Sequence, residues 1–144
     1  MTRIPLGRFD LIEPLAAGGM GVVWRGVHRS DGTPAAIKVL TPNAAGREEF
    51  IIALREEIRA VAGLNHPHVI WIYDYGEVTA EAEAASGGQI KEGGPWLALE
   101  FCEGQTLREL APKLDWQGIR QVLLDLLDAL AHAHAHGVIH RDIK

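Results

Sequence analysis

A chain of 144 residues suits one ordinary domain and buries enough of its unfolded surface to need no covalent staples. Hydrophobic residues make up 47% and charged residues 23%, which excludes a disordered tail, a collagen-like repeat and a bundle of membrane spans. With 14 Lys and Arg against 19 Asp and Glu, and no basic run, the chain lacks the cationic face that nucleic-acid backbones require.

The first residues, Met1–Gly7, carry no apolar run of the secretory kind, and no stretch reaches membrane-spanning length. With one cysteine, Cys102, no intrachain disulfide forms, and a cytoplasmic setting is expected. Phe9–Glu13 alternates as a short strand closed by Pro14. Ala16–Gly21 is too glycine-rich for a helix interior. Val22–His28 is dense in β-formers, with Val23, Arg25 and Val27 on one face and Val22, Trp24 and Gly26 on the other. Ser30-Asp31-Gly32 supplies a turn into Pro34–Leu40, a third strand that is apolar apart from Lys38. Phe50, Leu54, Ile58 and Val61 fall at helical spacing within Arg47–Ala62, and Gly63 is placed to stop that helix. Val69–Tyr75 reads as a fourth strand and Trp96–Phe101 as a fifth; Thr79–Gly94, between them, reads as a long surface loop. Trp24, Trp71 and Trp96 all fall on strands and are expected to pack the sheet. Thr106 is placed to cap a short helix over Leu107–Leu110. Ile119, Val122, Leu123, Leu126, Leu127 and Leu130 make a strong amphipathic stripe, stopped by Gly137 before a polar ending, His140–Lys144.

Four features carry chemistry. Gly18, Gly19 and Gly21 let backbone N–H groups approach phosphate oxygens, although a plain hairpin turn explains the glycines alone. A dinucleotide-binding loop would open a helix, and here a strand follows. Lys38 reads either as an edge lysine facing solvent or as a cation aimed into a cleft. Glu57 interrupts the stripe Phe50, Leu54, Val61; it is either buried and paired with Lys38, or turned out while Ile58 points in. Asp142 follows the long helix in a loop, the kind of position from which a carboxylate can accept the proton of an attacking hydroxyl.

Together these features resemble the protein kinase family, and within it the eukaryotic-type serine/threonine kinases of bacteria. The resemblance rests on Leu15-Ala16-Ala17-Gly18-Gly19-Met20-Gly21-Val22-Val23, Ala35-Ala36-Ile37-Lys38, Glu57, Leu64-Asn65-His66-Pro67-His68-Val69-Ile70 and His140-Arg141-Asp142-Ile143-Lys144, in order across nearly the whole chain. It implies that Leu15 to Val23 covers ATP, with Gly18, Gly19, Met20 and Gly21 closing over the phosphates. Lys38 then contacts the α- and β-phosphates and is held by Glu57, while Val23 and Ala36 sandwich the adenine. Leu99 is the gatekeeper, the Glu100 and Cys102 backbones read the adenine edge, and Thr106 lies near the ribose. Asp142 is the catalytic base, Lys144 stabilises the transferring phosphoryl group, and Arg141 senses a phosphorylated activation loop. His140 packs below the site, with Val61 and Ile72 above it.

The resemblance departs in two places. Ala16 stands where the family has its first loop glycine. The family's next motifs, an asparagine and an Asp-Phe-Gly that bind magnesium, are not among these residues, so the chain by itself is expected to lack significant kinase activity. His132 and His136, one turn apart, form a possible metal pair that no Cys or Glu on that face completes; they are expected to be surface positions, and no metal ligand is assigned.

The expected fold is α+β: a kinase-like N-terminal lobe of five antiparallel strands and one helix over residues 1–101, with residues 78–95 a surface insert. Residues 102–144 then form the hinge and the opening of the helical lobe. The implied cofactors are ATP and Mg2+, with the metal ligands downstream. The implied partners are protein substrates and, in the intact enzyme, a second copy. The alternative is a non-catalytic nucleotide-binding or interaction module derived from a kinase.

Overall fold

The computed structural model describes residues 3–19, 21–41, 47–141 and 143. Met20, Asp142 and Lys144, singled out above, lie outside the described residues. Six strands form one sheet in the order β1-β2-β3-β4-β6-β5: β1 Ile4–Leu6, β2 Phe9–Gly18, β3 Gly21–His28, β4 Pro34–Leu40, β5 Ile72–Glu77 and β6 Pro95–Glu100. Every neighbouring pair is antiparallel. Helix α1, Arg47–Ala62, lies between β4 and β5; α2, Ala80–Ala85, lies between β5 and β6; α3, Leu107–Leu110, and α4, Trp116–Ala135, follow the sheet.

The five expected strands are present, with a sixth at the edge. β1 is too short for alternation to reveal it; it folds back through Gly7, at φ 54°, and pairs Ile4 with Leu11 and Leu6 with Phe9. β2 does not end at Pro14. β1 covers it only as far as Leu11, so the missing N–H of Pro14 costs no ladder bond on that side, and two register shifts carry β2 on to Gly18. β5 starts at Ile72, later than Val69, and Trp71 stands exposed just before it. Of the three strand tryptophans expected to pack the sheet, only Trp24 and Trp96 do so.

Pleating sends alternate side chains to opposite faces of the sheet. One face is the core. Leu11, Trp24, Ile37, Val39, Trp96 and Ala98 are buried there, and Ile4, Leu6 and Phe9 join them from the β1–β2 edge. Gly76 makes room for the indole, since a Cβ there would lie 2.9 Å from Trp96.

The Thr79–Gly94 segment is not the surface loop that its composition suggests. Thr79 Oγ1 accepts the Ala82 N–H at 3.2 Å and starts α2. Ser86 Oγ donates to the Glu83 carbonyl at 2.7 Å and accepts the Ile90 N–H at 3.3 Å. Val78, Ala82 and Ile90 are buried in the core cluster, so the segment closes the core face. The Glu83 carboxylate accepts the Glu92 N–H at 2.8 Å and pairs with Lys91 at 3.0 Å.

Candidate functional site

The other face of the sheet is only half covered, and the cross-strand register assembles the expected residues on it. One row runs Ala16, Val23, Lys38, Leu97 and Tyr75 across β2, β3, β4, β6 and β5. The next row runs Glu13, Arg25, Ala36, Leu99 and Ile72. Directly opposed residues in an antiparallel pair share a face, so Val23, Ala36, Lys38 and Leu99 stand side by side. All four are half-buried, whereas their neighbours Ala35, Ile37, Val39 and Ala98 face the core. Lys38 therefore emerges from the middle of the sheet, between β3 and β6, and is not an edge lysine.

The glycine turn closes one end of this face. A Cβ built at Gly18 or Gly19 would meet no atom within 4 Å, which leaves space over the turn for a ligand's oxygens. Gly21 is different. At φ 139°, a Cβ there would fall 2.1 Å from the Val39 carbonyl oxygen. Its glycine is a backbone necessity where β3 meets β4. Leu15 and Ala16 are exposed on the approach to the turn.

At the opposite end, Glu100 donates its N–H to the Trp71 carbonyl at 2.8 Å and accepts the Trp71 N–H on its carboxylate at 3.2 Å. The Glu100 N–H is thus already engaged. Cys102 is exposed beyond it. Thr106 is held locally: it forms a capping box with Glu109, whose carboxylate accepts the Thr106 N–H at 2.7 Å and the hydroxyl at 3.0 Å. Those two bonds, the amide first, keep the Glu109 carboxyl below the usual carboxylate range.

Helix α1 adopts the rotated setting of its stripe: Ile58 is buried and Glu57 is exposed. Arg55 pairs with Glu77, and Arg59 Nε donates to the Tyr75 hydroxyl at 3.4 Å, so this flank of the helix is tied to β5. At 100° per residue, Glu57 lies on the opposite flank from both arginines. Among the described residues no ion pair joins Glu57 to Lys38, unlike the hold on Lys38 that the resemblance implies; of the two settings the sequence left open, the turned-out one is observed.

Glu57 instead borders a cavity of about 450 Å³ behind Leu99. Val61, Ile72, Leu99, Leu126 and His140 line it as well, so the three residues expected to stack below and above the site meet around one space. A neighbouring cavity of about 320 Å³ is shared by Glu56, Glu57 and Arg141. Arg141 has φ 61°, a left-handed backbone rare outside glycine, directly before Asp142.

The sequence reading overlooked one group. The Arg25 guanidinium lies 5.6 Å from the Phe101 ring centroid and pairs with Glu13 at 3.6 Å. The alternation of β3 had already put Arg25 on the face of Val23; nothing local in sequence announces Phe101 as its neighbour. Among the described residues no group of three or more His, Cys, Asp or Glu is arranged to hold a metal ion, and no helix is long and apolar enough to cross a membrane.

Comparison with known proteins gives the family of the chain. The protein kinase domain model matches residues 9–144. The chain is 33% identical over 146 residues to a probable serine/threonine-protein kinase PknB of Bifidobacterium longum, covering 99% of this chain and 21% of that protein. It is 35% identical over 142 residues to the serine/threonine-protein kinase PknA of Mycobacterium tuberculosis, covering 96% and 31%. The crystal structure of the M. tuberculosis PknI kinase domain superposes with a TM-score of 0.77 at 24% identity, covering all of this chain and 54% of that one. The chain thus spans about a fifth to a third of these curated relatives and about half of the solved kinase domain.

Proposed function

We propose, from the premise that this chain belongs to the protein kinase domain family, that it forms the nucleotide-binding part of a serine/threonine protein kinase. The observation that carries the proposal is the register. It sets Lys38 beside Val23, Ala36 and Leu99 on one half-buried face, below a glycine turn with open space over Gly18 and Gly19. We assign residues 1–101 to the sheet lobe and 102–144 to the hinge and the start of the helical lobe.

In this reading the adenine lies against Val23 and Ala36, with Leu99 at its back. The Glu100 carbonyl and the Cys102 backbone meet its polar edge, the Glu100 N–H being taken by Trp71. The turn at Gly18–Gly21 and the Lys38 ammonium receive the phosphates, where a flexible point charge suits several oxygens at once. The family assigns two further roles to residues outside the described set. Asp142 accepts the proton of a serine or threonine hydroxyl as its oxygen attacks the γ-phosphorus and ADP departs. Lys144 offsets charge on the phosphoryl group in flight. Among the described residues no group of three or more His, Cys, Asp or Glu gathers to hold a divalent cation. Protein substrates belong to the whole enzyme.

The test is thermal stabilisation of the chain by ATP. A ligand that binds only the folded state stabilises it by about 2.7 kcal/mol at a hundredfold excess over Kd. Lys38→Met should melt as the parent does without ligand and lose most of the ATP-induced rise, because Lys38 makes no ion pair among the described residues. An equal rise in both proteins, or none in the parent at millimolar ATP, overturns the reading.

A further inference from the structure

Arg25 and Glu13 stand on the face of Val23, Ala36 and Leu99, yet the nucleotide reading gives them no task. The register puts them there. Leu11 pairs with Gly26 and Glu13 with Arg25, so Ile12 is the extra residue of a bulge. Without that bulge Ile12, not Glu13, would oppose Arg25. On its other side Arg25 opposes Ala36, which in turn opposes Leu99. The Arg25 guanidinium pairs with the Glu13 carboxylate at 3.6 Å and lies 5.6 Å from the centroid of the Phe101 ring. Three pieces of chain meet here: the strand entering the glycine turn, the strand leaving it, and the residue directly after β6. Both charged side chains are nearly half exposed, so their ion pair alone adds little to stability.

Phe101 joins two planar peptide units. One carries the Glu100 carbonyl and the other the Cys102 N–H, and the φ and ψ of Phe101 set the angle between them. The backbone around it has little other hold. The sheet ladder ends at Glu100, whose N–H donates to Trp71, and the next tie is the Thr106 N–H on Glu109. Among the described residues, Phe101, Cys102 and Glu103 enter no turn or loop backbone hydrogen bond. Gly104 follows at φ 116°, a backbone setting that adds no restraint from a side chain. The half-buried Phe101, its ring covered by Arg25, is therefore the anchor of this segment.

We propose that Arg25, braced by Glu13, is a positioning residue that sets the base selectivity of the nucleotide site; this rests on the nucleotide reading above. By clamping the Phe101 ring, Arg25 holds the Glu100 carbonyl and the Cys102 N–H in one relative direction, acceptor beside donor. Adenine offers the matching edge, an amino donor at C6 beside an acceptor nitrogen at N1. Hypoxanthine offers the reverse, an acceptor oxygen at C6 beside an N–H at N1. A fixed pair admits the first and sets the second acceptor against acceptor and donor against donor. A loose segment could turn to suit either base.

Calorimetric titration of the 144-residue chain with ATP and with ITP, which differ only at that edge, tests the proposal. The parent should bind ATP about tenfold more tightly or better. Arg25→Ala should cut that ratio about fivefold, through weaker ATP binding with ITP little changed. Its melting temperature without nucleotide should stay within about 2 °C of the parent's. Arg25→Lys, which keeps a cation over the ring, should restore part of the ratio. Phe101→Leu reads the same contact from the other side, whatever Arg25→Ala does to folding; it should lose as much selectivity, and the double variant no more than either single one. An unaltered ratio in Arg25→Ala and Phe101→Leu, or equal weakening of both nucleotides, overturns the proposal and leaves the nucleotide reading standing. So does a parent that binds both nucleotides alike. A parent that binds neither overturns the nucleotide reading and this proposal with it.

Discussion

The glycines of the turn between β2 and β3 are chemically alike and structurally different. Gly21 sits at φ 139° with the Val39 carbonyl oxygen where a Cβ would go, while Gly18 and Gly19 border open space. Gly21→Ala should therefore destabilise the chain by roughly 2 kcal/mol or more, through strain and a backbone clash. Gly18→Ala and Gly19→Ala should leave the melting temperature nearly unchanged and weaken ATP binding. Melting curves with and without nucleotide separate the two classes; a stable Gly21→Ala chain would refute the distinction. At this scale the sequence was legible where residue type alone signals chemistry, as at Lys38 and the glycines. It was mute about partners. Thr106 and Glu109 are a recognisable capping pair, but the separation of Glu57 from Lys38 depends on the rotation of α1, and periodicity left that rotation open because Glu57 and Ile58 both fall three or four residues from Leu54 and Val61.

Among the helices, α2 is the one the sequence concealed. Its buried apolar content is the single Ala82, and two glycines follow it, so neither periodicity nor hydrophobicity marked it. The cue was Thr79 ahead of a run of alanine and glutamate, an N-cap before good helix formers. Glu83 then ties the segment together. Its carboxyl lies below the usual carboxylate range, chiefly because the Glu92 N–H donates to it and then because Lys91 does. A group whose folded pKa is depressed contributes stability above its unfolded pKa, and that contribution is lost as pH falls through the folded value. The Glu92 amide should therefore lose protection from exchange as the pH falls below the usual carboxylate range. In Glu83→Gln the same amide should be weakly protected already at neutral pH; unchanged protection in that variant would count against the tie. β3, by contrast, was legible because it is dense in β-formers, and β4 and β6 because each is a short, mostly apolar run.

For the molecule as a whole, α4 is the exposed element. Leu127 is 61% and Trp116 70% accessible, and Leu123, Leu124 and Leu126 are exposed beside them. Its amphipathic stripe was plain in sequence; that part of the stripe is left exposed depends on what packs against it, which no local pattern records. Such a contiguous apolar surface favours self-association. The chain should elute as oligomers in size-exclusion chromatography, and the double variant Leu123→Glu, Leu127→Glu should shift toward monomer. A monomeric parent at the concentrations used for melting would dispose of this expectation.

The little strand β1 bears on what those oligomers look like. Open sheet edges are the templates from which fibrils grow. Here one edge of the sheet is β1, three residues long with Pro5 at its centre, continued by the part of β2 beyond Leu11, which Pro14 and two register shifts break up; the other edge, β5, is tied to α1 through Arg55 and Arg59. Strand-to-strand recruitment thus has no long flat edge to start from, and assembly is left to the helix. The aggregates should be amorphous, dissolve when charge is added to α4, and leave thioflavin dark.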